Sequence, residues 1–235
     1  MPGLATAHRR RLREIWRSAG WPCRDTIEVE LLAAGLLMRQ HDSEGRETLR
    51  VTDAGVQVLA ASLQKNREVR NAHEDLVARV ALEMQRAGRV VWRGLSLRAP
   101  LPGENGKAKW AVAMPDVYSI RHTTVEDYTE PIVHEIKVSR ADLMSDLRSA
   151  SKGAAYLALS SQCWYVLREG IARPDEVPAC YGVMFASSNS LEVARPAPKR
   201  PLTPSFPIWM ALARANAEPP ADDAQPGLAP TDEPQ

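Results

Sequence analysis

The apolar positions near the start of the chain follow the spacing of short helices and a hairpin. Residues 9–19 carry apolar side chains three and four apart, which predicts an amphipathic helix. Asp25 stands where it can cap a second helix. Two short apolar runs, 36–38 and 48–51, flank a polar stretch and predict a hairpin, after which helical spacing resumes. Residues 8–68 are therefore predicted to form a small, mainly helical module.

The pattern changes beyond a long amphipathic helix that is predicted for residues 71–87. Five later runs are rich in β-branched and aromatic residues, as strands are, and two have helical spacing. The predicted strands are 90–92, 117–120, 132–138, 163–167 and 183–186, and the predicted helices are 142–149 and 153–159. Residues 70–195 are therefore predicted to form an α/β (α+β) domain around a central sheet.

The end of the chain differs in composition from the rest. Proline recurs at short spacing after residue 195, and the sequence then becomes acidic. Such a segment lacks the apolar surface needed for a core, so residues 196–235 are predicted to be a disordered tail. One apolar patch, 206–212, is an exception that could dock on the domain or bind a protein partner.

Composition and charge limit the class of protein. The chain has 235 residues, 44% of them hydrophobic, and a formal net charge of +1, as in an ordinary globular protein without a polycationic surface. No apolar run approaches the length of a membrane helix, and the three cysteines lack disulfide or zinc-ligand spacing. We therefore expect a cytoplasmic protein with no membrane partner.

Basic residues cluster locally in the first predicted helix. Arg9, Arg10, Arg11 and Arg13 lie almost side by side there. They could contact the phosphates of DNA, although an Arg-rich helical face is usually just solvated. Nucleic-acid binding is therefore a hypothesis for this segment.

Strand 132–138 carries an acid and a base on one face. Because side chains alternate along a strand, Glu135 and Lys137 point to the same side, where they could be a solvent-facing ion pair. Asp116 favours another interpretation, since it starts the preceding strand, and a hairpin would bring both carboxylates together. With the carbonyl of Ile136 they would form an oxygen site suited to Mg²⁺ or Mn²⁺. Beside it, Lys137 could act on a water molecule or on phosphate charge.

These residues resemble a nuclease signature. Pro115-Asp116 followed by Glu135-Ile136-Lys137, with Glu74 on the preceding helix, is similar to the motif of the PD-(D/E)XK superfamily. The run 135–147 is also similar to the MmcB-like DNA-repair group within it. The resemblance implies a restriction-endonuclease-like core with a mixed central sheet. It also implies an enzyme that uses Mg²⁺ or Mn²⁺ to hydrolyse DNA phosphodiester bonds in repair or defence.

The resemblance assigns roles to particular residues. It implies the catalytic residues Asp116, Glu135 and Lys137, and the metal ligands Glu74, Asp116, Glu135 and the Ile136 carbonyl. Lys152 and Tyr156 resemble a polar-xxx-Tyr element that lines the DNA side of some nucleases, although Lys replaces the usual Gln. They could equally be a solvated lysine and a half-buried tyrosine.

Two of the acids have a second interpretation. Glu74 lies three residues after Asn71, and Asp142 lies three residues after Ser139, which is the spacing of a capping box. Each carboxylate could therefore satisfy backbone donors at a helix start. His134, on the apolar face of its strand, is interpreted as a core histidine.

Three functions remain open at this point. Residues 49–55 resemble the wing-to-helix segment of MarR-like regulators, so the 8–68 module is interpreted as winged-helix-like. The chain could be a nuclease whose winged helix binds substrate. It could instead be a DNA-binding regulator with a non-catalytic nuclease-like domain. In a third hypothesis, the winged helix binds protein within a repair or restriction assembly.

Overall fold

The computed structural model describes residues 4–41, 43–103 and 108–219. Its helices are α1 (Thr6–Arg17), α2 (Thr26–Ala33), α3 (Asp53–Arg86), α4 (Arg140–Leu147), α5 (Ala150–Leu159) and α6 (Phe206–Arg214). Its strands are β1 (Leu37–His41), β2 (Glu47–Val51), β3 (Arg89–Arg93), β4 (Leu97–Pro102), β5 (Ala108–Ala113), β6 (Val117–Arg121), β7 (Ile132–Lys137), β8 (Gln162–Arg168), β9 (Gly182–Ala186) and β10 (Leu191–Arg195). The chain divides into two compact units, Met1–Arg70 and Asn71–Gln235, and α3 crosses the boundary. Within the described ranges, no helix combines the length and apolar content needed to cross a membrane.

The first unit contains α1, α2, the antiparallel β1–β2 hairpin and the start of α3. Asp25 caps α2, because its Oδ1 accepts a hydrogen bond from the Glu28 N–H at 2.9 Å. The buried core residues of this unit are Leu12, Ile15, Leu31, Leu36, Leu37, Leu49, Val51 and Leu59. The predicted order of helix, helix, hairpin and helix is confirmed.

Helix α3 corrects the prediction of two separate helices. Residues 53–86 form one uninterrupted helix of 34 residues. Its middle, residues 63–71, is largely exposed and has no apolar stripe, so its sequence resembles a linker. Because Asn71 and Glu74 lie inside the helix, where N–H groups already bond to carbonyls of the preceding turn, the capping-box interpretation of Glu74 is wrong.

The second unit is built around a six-stranded sheet with the order β10-β9-β8-β7-β6-β3. β8 runs parallel to both β7 and β9, and the other neighbouring pairs are antiparallel. Parallel neighbours need a crossover connection, which α4 and α5 supply between β7 and β8. The predicted mixed α/β architecture is confirmed.

Helices cover both faces of this sheet. On one face, Val77 and Val80 of α3 belong to a buried cluster with Ile136 of β7. On the other face, residues of β6, β7 and β8 form a second cluster with α5 and α6; its largest members include Tyr118, Val133, Tyr156, Leu159, Tyr165, Ile208 and Leu212. The strands are therefore buried on both sides, and a charged side chain on β7 lies within a packed layer.

Three features lie where the sequence predicts no regular structure. Strands β4 and β5 form a separate hairpin whose buried residues are mainly leucine and alanine, a weak hydrophobic signal. Strand β10 pairs with β9 although Val193 on it is exposed. Helix α6 contains Pro207 in its first turn, where proline removes no helical hydrogen bond.

The prediction of a disordered tail is wrong for residues 196–219. Ile208 and Leu212 of α6 are only 2% and 7% exposed, and both belong to the core of the second unit. Docking of the 206–212 patch is therefore confirmed. The chain then follows β3, because the Glu218 N–H donates to the Val91 carbonyl at 2.8 Å. The acidic end, 220–235, lies outside the described residues.

Candidate active site

Strands β6 and β7 bring Asp116 beside the segment of β7 that carries Glu135 and Lys137. Their antiparallel pairing ends where Val117 faces His134. Beyond this point, the Ile136 N–H donates to Asp116 Oδ2 at 2.7 Å. The Asp116 carboxylate is thereby held beside the part of β7 that carries the other two motif residues. The predicted antiparallel pairing of the two strands is confirmed.

Glu135 and Lys137 form a buried ion pair. The two residues are 2% and 8% exposed, and Lys137 Nζ lies 2.6 Å from Glu135 Oε1. The interpretation as a solvent-facing pair is therefore wrong. Taking charges out of water costs free energy unless opposite charges and hydrogen bonds compensate them. The surroundings of this pair must therefore supply that compensation.

Two further residues complete a four-charge cluster, which consists of the buried Glu135 and Lys137 with the partly buried Asp146 and Lys152. Lys152 Nζ donates to Glu135 Oε1 at 2.7 Å and also to Asp146 Oδ1. Lys137 Nζ lies 3.7 Å from Asp146 Oδ2, which accepts a hydrogen bond from the Tyr165 hydroxyl at 2.9 Å. Burial disfavours the charged form of Lys152, but the two carboxylates outweigh it and raise the pKa of Lys152. Two carboxylates thus balance two ammonium groups.

Lys152 and Tyr156 do not form an exposed surface for DNA. Tyr156 is fully buried, and its hydroxyl donates to the Met114 carbonyl at 3.1 Å. Burial, with the nearby charge of Glu135, raises the pKa of the Tyr156 hydroxyl. The interpretation as a solvated lysine and a half-buried tyrosine is also wrong, because Lys152 is an ion-pair partner. Its ammonium lies 5.2 Å from the centre of the Tyr156 ring.

The motif supplies a set of three candidate oxygen donors, of the kind that a hard cation binds. Glu135 Oε2 is buried and has no hydrogen-bond partner among the described residues, and a bound cation would satisfy it. The N–H and C=O of one strand residue point to the same side, so the Ile136 carbonyl faces the Asp116 side of β7. Across the described ranges, no three His, Cys, Asp or Glu side chains gather as a metal-binding group. The set is therefore two carboxylates and a carbonyl.

A cavity of about 450 Å³ opens beside Asp116. Its polar lining is His73, Glu74, Arg93, Asp116 and Glu218. His73 Nε2 lies 3.3 Å from Asp116 Oδ2, and this hydrogen bond raises the pKa of His73. The Glu74 side chain is 66% exposed and lies 3.4 Å from His73 Nδ1. Glu74 thus shares the cavity with Asp116 as a more distant candidate ligand.

Two other predicted residues have structural roles. Ser139 caps α4 by accepting a hydrogen bond from the Asp142 N–H at 3.2 Å. The Asp142 carboxylate accepts from the Ser139 hydroxyl at 2.6 Å and not from a backbone donor, so only half of the predicted capping box is present in the described residues. His134 is 1% exposed and stacks near Trp164, which confirms its core position. Burial lowers the pKa of His134 to about 3. Its Nδ1 is buried without a hydrogen-bond partner among the described residues.

The four N-terminal arginines have different surroundings. Arg11 donates to Asp25 at 2.8 Å and is largely buried, so it braces the start of α2. Arg10 pairs with the exposed Glu14 at 2.9 Å. Arg9 and Arg13 are exposed and line a cavity of the first unit together with Lys65. Arg9 and Arg13 therefore combine exposure with a shared cavity.

The residues that sequence reasoning missed are Asp146, His73, Arg93 and Glu218. Asp146 lies in α4 and meets Lys137 and Lys152 only through the packing of α4 and α5 on β7. Glu218 is 125 residues from Arg93, its ion-pair partner. Neither the spacing nor the local pattern of these residues signals such contacts.

Comparison with known proteins adds little to this geometry. No protein-family model matches the chain, and no curated protein matches it. Among solved structures, the chain is similar to the SPO1766 protein of unknown function from Silicibacter pomeroyi, with a TM-score of 0.37 and 22% sequence identity. The similarity covers 56% of this chain and 79% of that one. Function must therefore be argued from the site itself.

Proposed function

We propose that the second unit is a metal-dependent nuclease that hydrolyses phosphodiester bonds of DNA, in repair or defence. The observation that carries this proposal is the hydrogen bond from the Ile136 N–H to Asp116 Oδ2 at 2.7 Å. It joins the carboxylate of one strand to the Glu135–Lys137 segment of the next. The PD-(D/E)XK resemblance requires this juxtaposition.

The order of elements also supports the proposal. A helix, α3, precedes the antiparallel strands β3, β6 and β7, and two helices then lead to the parallel strand β8. This order agrees with the restriction-endonuclease-like core that the motif implies. The first unit agrees in element order with a winged helix, and we propose that it contributes substrate binding.

The chemistry assigns separate roles to the motif residues. Asp116, Glu135 Oε2 and the Ile136 carbonyl would hold Mg²⁺ or Mn²⁺, with Glu74 as a further candidate ligand. Such an ion, when bound, lowers the pKa of a coordinated water and stabilises negative charge on phosphate. Lys137 would stabilise charge that develops on the phosphate. Lys152 and Asp146 would act as positioning residues, because they hold Glu135 and Lys137.

A second candidate is a non-catalytic DNA-binding regulator. It is favoured by the balanced charges of the four-charge cluster, since two ammonium groups already compensate the buried Glu135. In this alternative, the cluster serves folding alone and the first unit supplies the activity. Metal-dependent cleavage separates the two candidates, because only the nuclease performs it.

A metal-dependent cleavage panel tests the proposal. Wild type should cut at least one of single-stranded, duplex or branched DNA or RNA with Mg²⁺ or Mn²⁺, and EDTA should stop it. Asp116→Asn should lower the rate by about 10² or more, as the loss of a preorganised charged group commonly does. Asp127→Asn changes an exposed acid outside the site and should cut like wild type. Metal bound at Asp116 without cleavage of any substrate would favour the regulator.

A further inference from the structure

A second, larger cavity of the second unit is lined by arginines. It has a volume of about 740 Å³ and lies between the β3–β4 segment and α6. Its charged lining consists of Arg93, Arg98 and Arg214, with no Asp or Glu among its described lining residues. We call this cavity the arginine groove. Its charge would attract an anion.

Two of these guanidinium groups are available to a ligand. Arg98 and Arg214 are exposed, and neither makes an ion pair with any residue in the described part of the chain. Trp92 and Leu95, each 6% exposed, and the partly buried Met210 form an apolar floor beside the charges. Positive charge with apolar and aromatic surface suits a nucleic-acid strand, whose phosphates alternate with bases and sugars.

The third arginine connects the groove to the candidate active site. Arg93 and Gly94 line both the arginine groove and the cavity beside Asp116. Arg93 Nε donates to Glu218 Oε1 at 2.8 Å, and its Nη2 donates to Glu218 Oε2 at 2.9 Å. Such two-point binding is the way arginine holds a phosphate as well as a carboxylate. The carboxylate therefore marks a position that a phosphate can take.

We propose that the arginine groove binds the phosphates of a nucleic-acid strand on its way to Asp116, and that Glu218 occupies the inner phosphate position at Arg93. This inference rests on the proposed nuclease function, for which it names the path of the substrate. Glu218 is an intramolecular competitor, so a strand must displace it from Arg93. Residues 219–235 add four more acids and no Lys or Arg, the same sign of charge as Glu218.

The attachment of Glu218 is compatible with such displacement. Its backbone N–H is bonded to the Val91 carbonyl at 2.8 Å, which holds the main chain on the edge strand β3 independently of the side chain. The ion pair itself is partly open to water, with side-chain exposures of 42% for Arg93 and 24% for Glu218. A carboxylate in such a pair can leave without loss of the surrounding fold.

Binding of a labelled, mixed-sequence single-stranded DNA oligonucleotide to the full chain in EDTA tests this inference. Fluorescence anisotropy would give the affinity at several salt concentrations. Glu218→Gln should bind about twofold to fivefold more tightly, the range expected for loss of a competing exposed ion pair. Arg98→Gln and Arg214→Gln should each bind more weakly. Each should also reduce the salt slope, the slope of log affinity against log salt concentration, by about 0.7 in magnitude. Arg168→Gln, an exposed arginine outside the groove, is the matched control.

Other results would overturn the inference. Unchanged or weaker binding by Glu218→Gln would show that Glu218 does not compete. If the Arg98, Arg214 and Arg168 changes have equal effects on affinity, binding depends on the overall charge of the protein and not on the groove. Tighter binding of a polyglutamate peptide than of the oligonucleotide would assign the groove to an acidic protein. Because EDTA prevents metal-dependent cleavage, a failed cleavage panel with these binding results intact would remove the nuclease function alone.

Discussion

At the scale of single residues, Glu135 has two oxygens with different surroundings. Oε1 accepts from Lys137 at 2.6 Å and from Lys152 at 2.7 Å, whereas Oε2 is buried without a partner in the described chain. The first oxygen holds the fold together, and the second is free for a ligand. Replacement of Glu135 and replacement of Lys137 should therefore have different effects on metal affinity.

Replacement of the lysine separates these roles. Lys137→Met should leave Mn²⁺ affinity unchanged or higher, because a positive charge beside the carboxylates has gone. Cleavage should fall by about 10²–10³, since a preorganised charge near the phosphate is lost. Glu135→Gln should lower both the Mn²⁺ affinity and the cleavage rate. Calorimetric Mn²⁺ titration and a cleavage assay on the same samples measure this.

An exposed lysine provides the control for that comparison. Lys109→Met removes one ammonium group from β5, outside the site, and should change neither quantity. Thermal melts of all the variants identify any that fail to fold. If folded Lys137→Met cleaves at the wild-type rate, Lys137 is a structural lysine and the nuclease proposal loses its main support.

A second residue-scale prediction concerns acid pH. The Arg140 guanidinium, helped by the Arg173 N–H, lowers the pKa of Glu176 to about 2. The folded state therefore binds this proton less readily than the unfolded state. Glu176 stabilises the fold above the usual carboxyl range, and this contribution is lost as pH falls towards about 2.

Thermal melts at falling pH measure this contribution. Between about pH 5 and about pH 2, the Tm of wild type should fall more than that of Glu176→Gln. Asp175→Asn, a neighbouring exposed acid, should keep the wild-type pH dependence. The same slope in wild type and Glu176→Gln would contradict the role given to the Arg140 pair.

The motif residues can be predicted because their signal is local. Strand alternation places Glu135 with Lys137, and a short connection brings Asp116 to them. Asp146 and Glu218 cannot be predicted, because each meets its partner through tertiary packing or at long sequence separation. The burial of Lys137 also depends on the helical layer of α4–α6, which strand alternation does not specify.

At the scale of elements, α6 binds the end of the described chain to the core. Ile208 is 2% exposed, whereas Phe206 on the same helix is 75% exposed. Ile208→Ala should destabilise the protein by about 2–5 kcal/mol, as other large-to-small core changes do. Phe206→Ala should change stability by about 0.5 kcal/mol or less. Urea unfolding of both variants measures the difference, and equal stabilities would show that α6 does not pack on the core.

The predictability of each element follows from its source of stability. Strand β8 contains a continuous apolar run, and β7 is rich in β-branched residues, so both can be predicted from sequence. The middle of α3 has exposed polar pairs such as Gln64 and Glu68, 3.0 Å apart, which give no hydrophobic period. The prediction for segment 196–219 fails because its high proline content indicates disorder. Its short apolar stripe is buried only by contact with residues that are remote in sequence.

At the scale of the whole molecule, the chain combines two units, each with exposed arginines beside a cavity. In the first unit, Arg9 and Arg13 are exposed beside Lys65, whereas Arg11 forms an ion pair with Asp25. An arginine surface without base-reading contacts binds phosphates and carries little sequence information. We therefore expect this unit to add affinity without selectivity.

A double variant of the full chain tests this expectation. Arg9→Gln with Arg13→Gln should weaken binding to unrelated duplexes by similar factors. The salt slope should fall by about 0.9 for each phosphate that the variant no longer neutralises. Arg17→Gln, on the same helix but outside the cavity, shows the effect of bulk charge. Weaker binding to one duplex sequence alone would favour the regulator.

The four-charge cluster also constrains how this protein can diverge. Loss of one member leaves an uncompensated buried charge, which commonly costs about 3–5 kcal/mol. Descendants should therefore lose these residues in opposite-charge pairs, so that a chain without Lys152 also lacks Asp146 or Glu135. A lineage without selection on this site should therefore keep Glu135 and Lys137 or lose them together, because either residue alone would be an uncompensated buried charge.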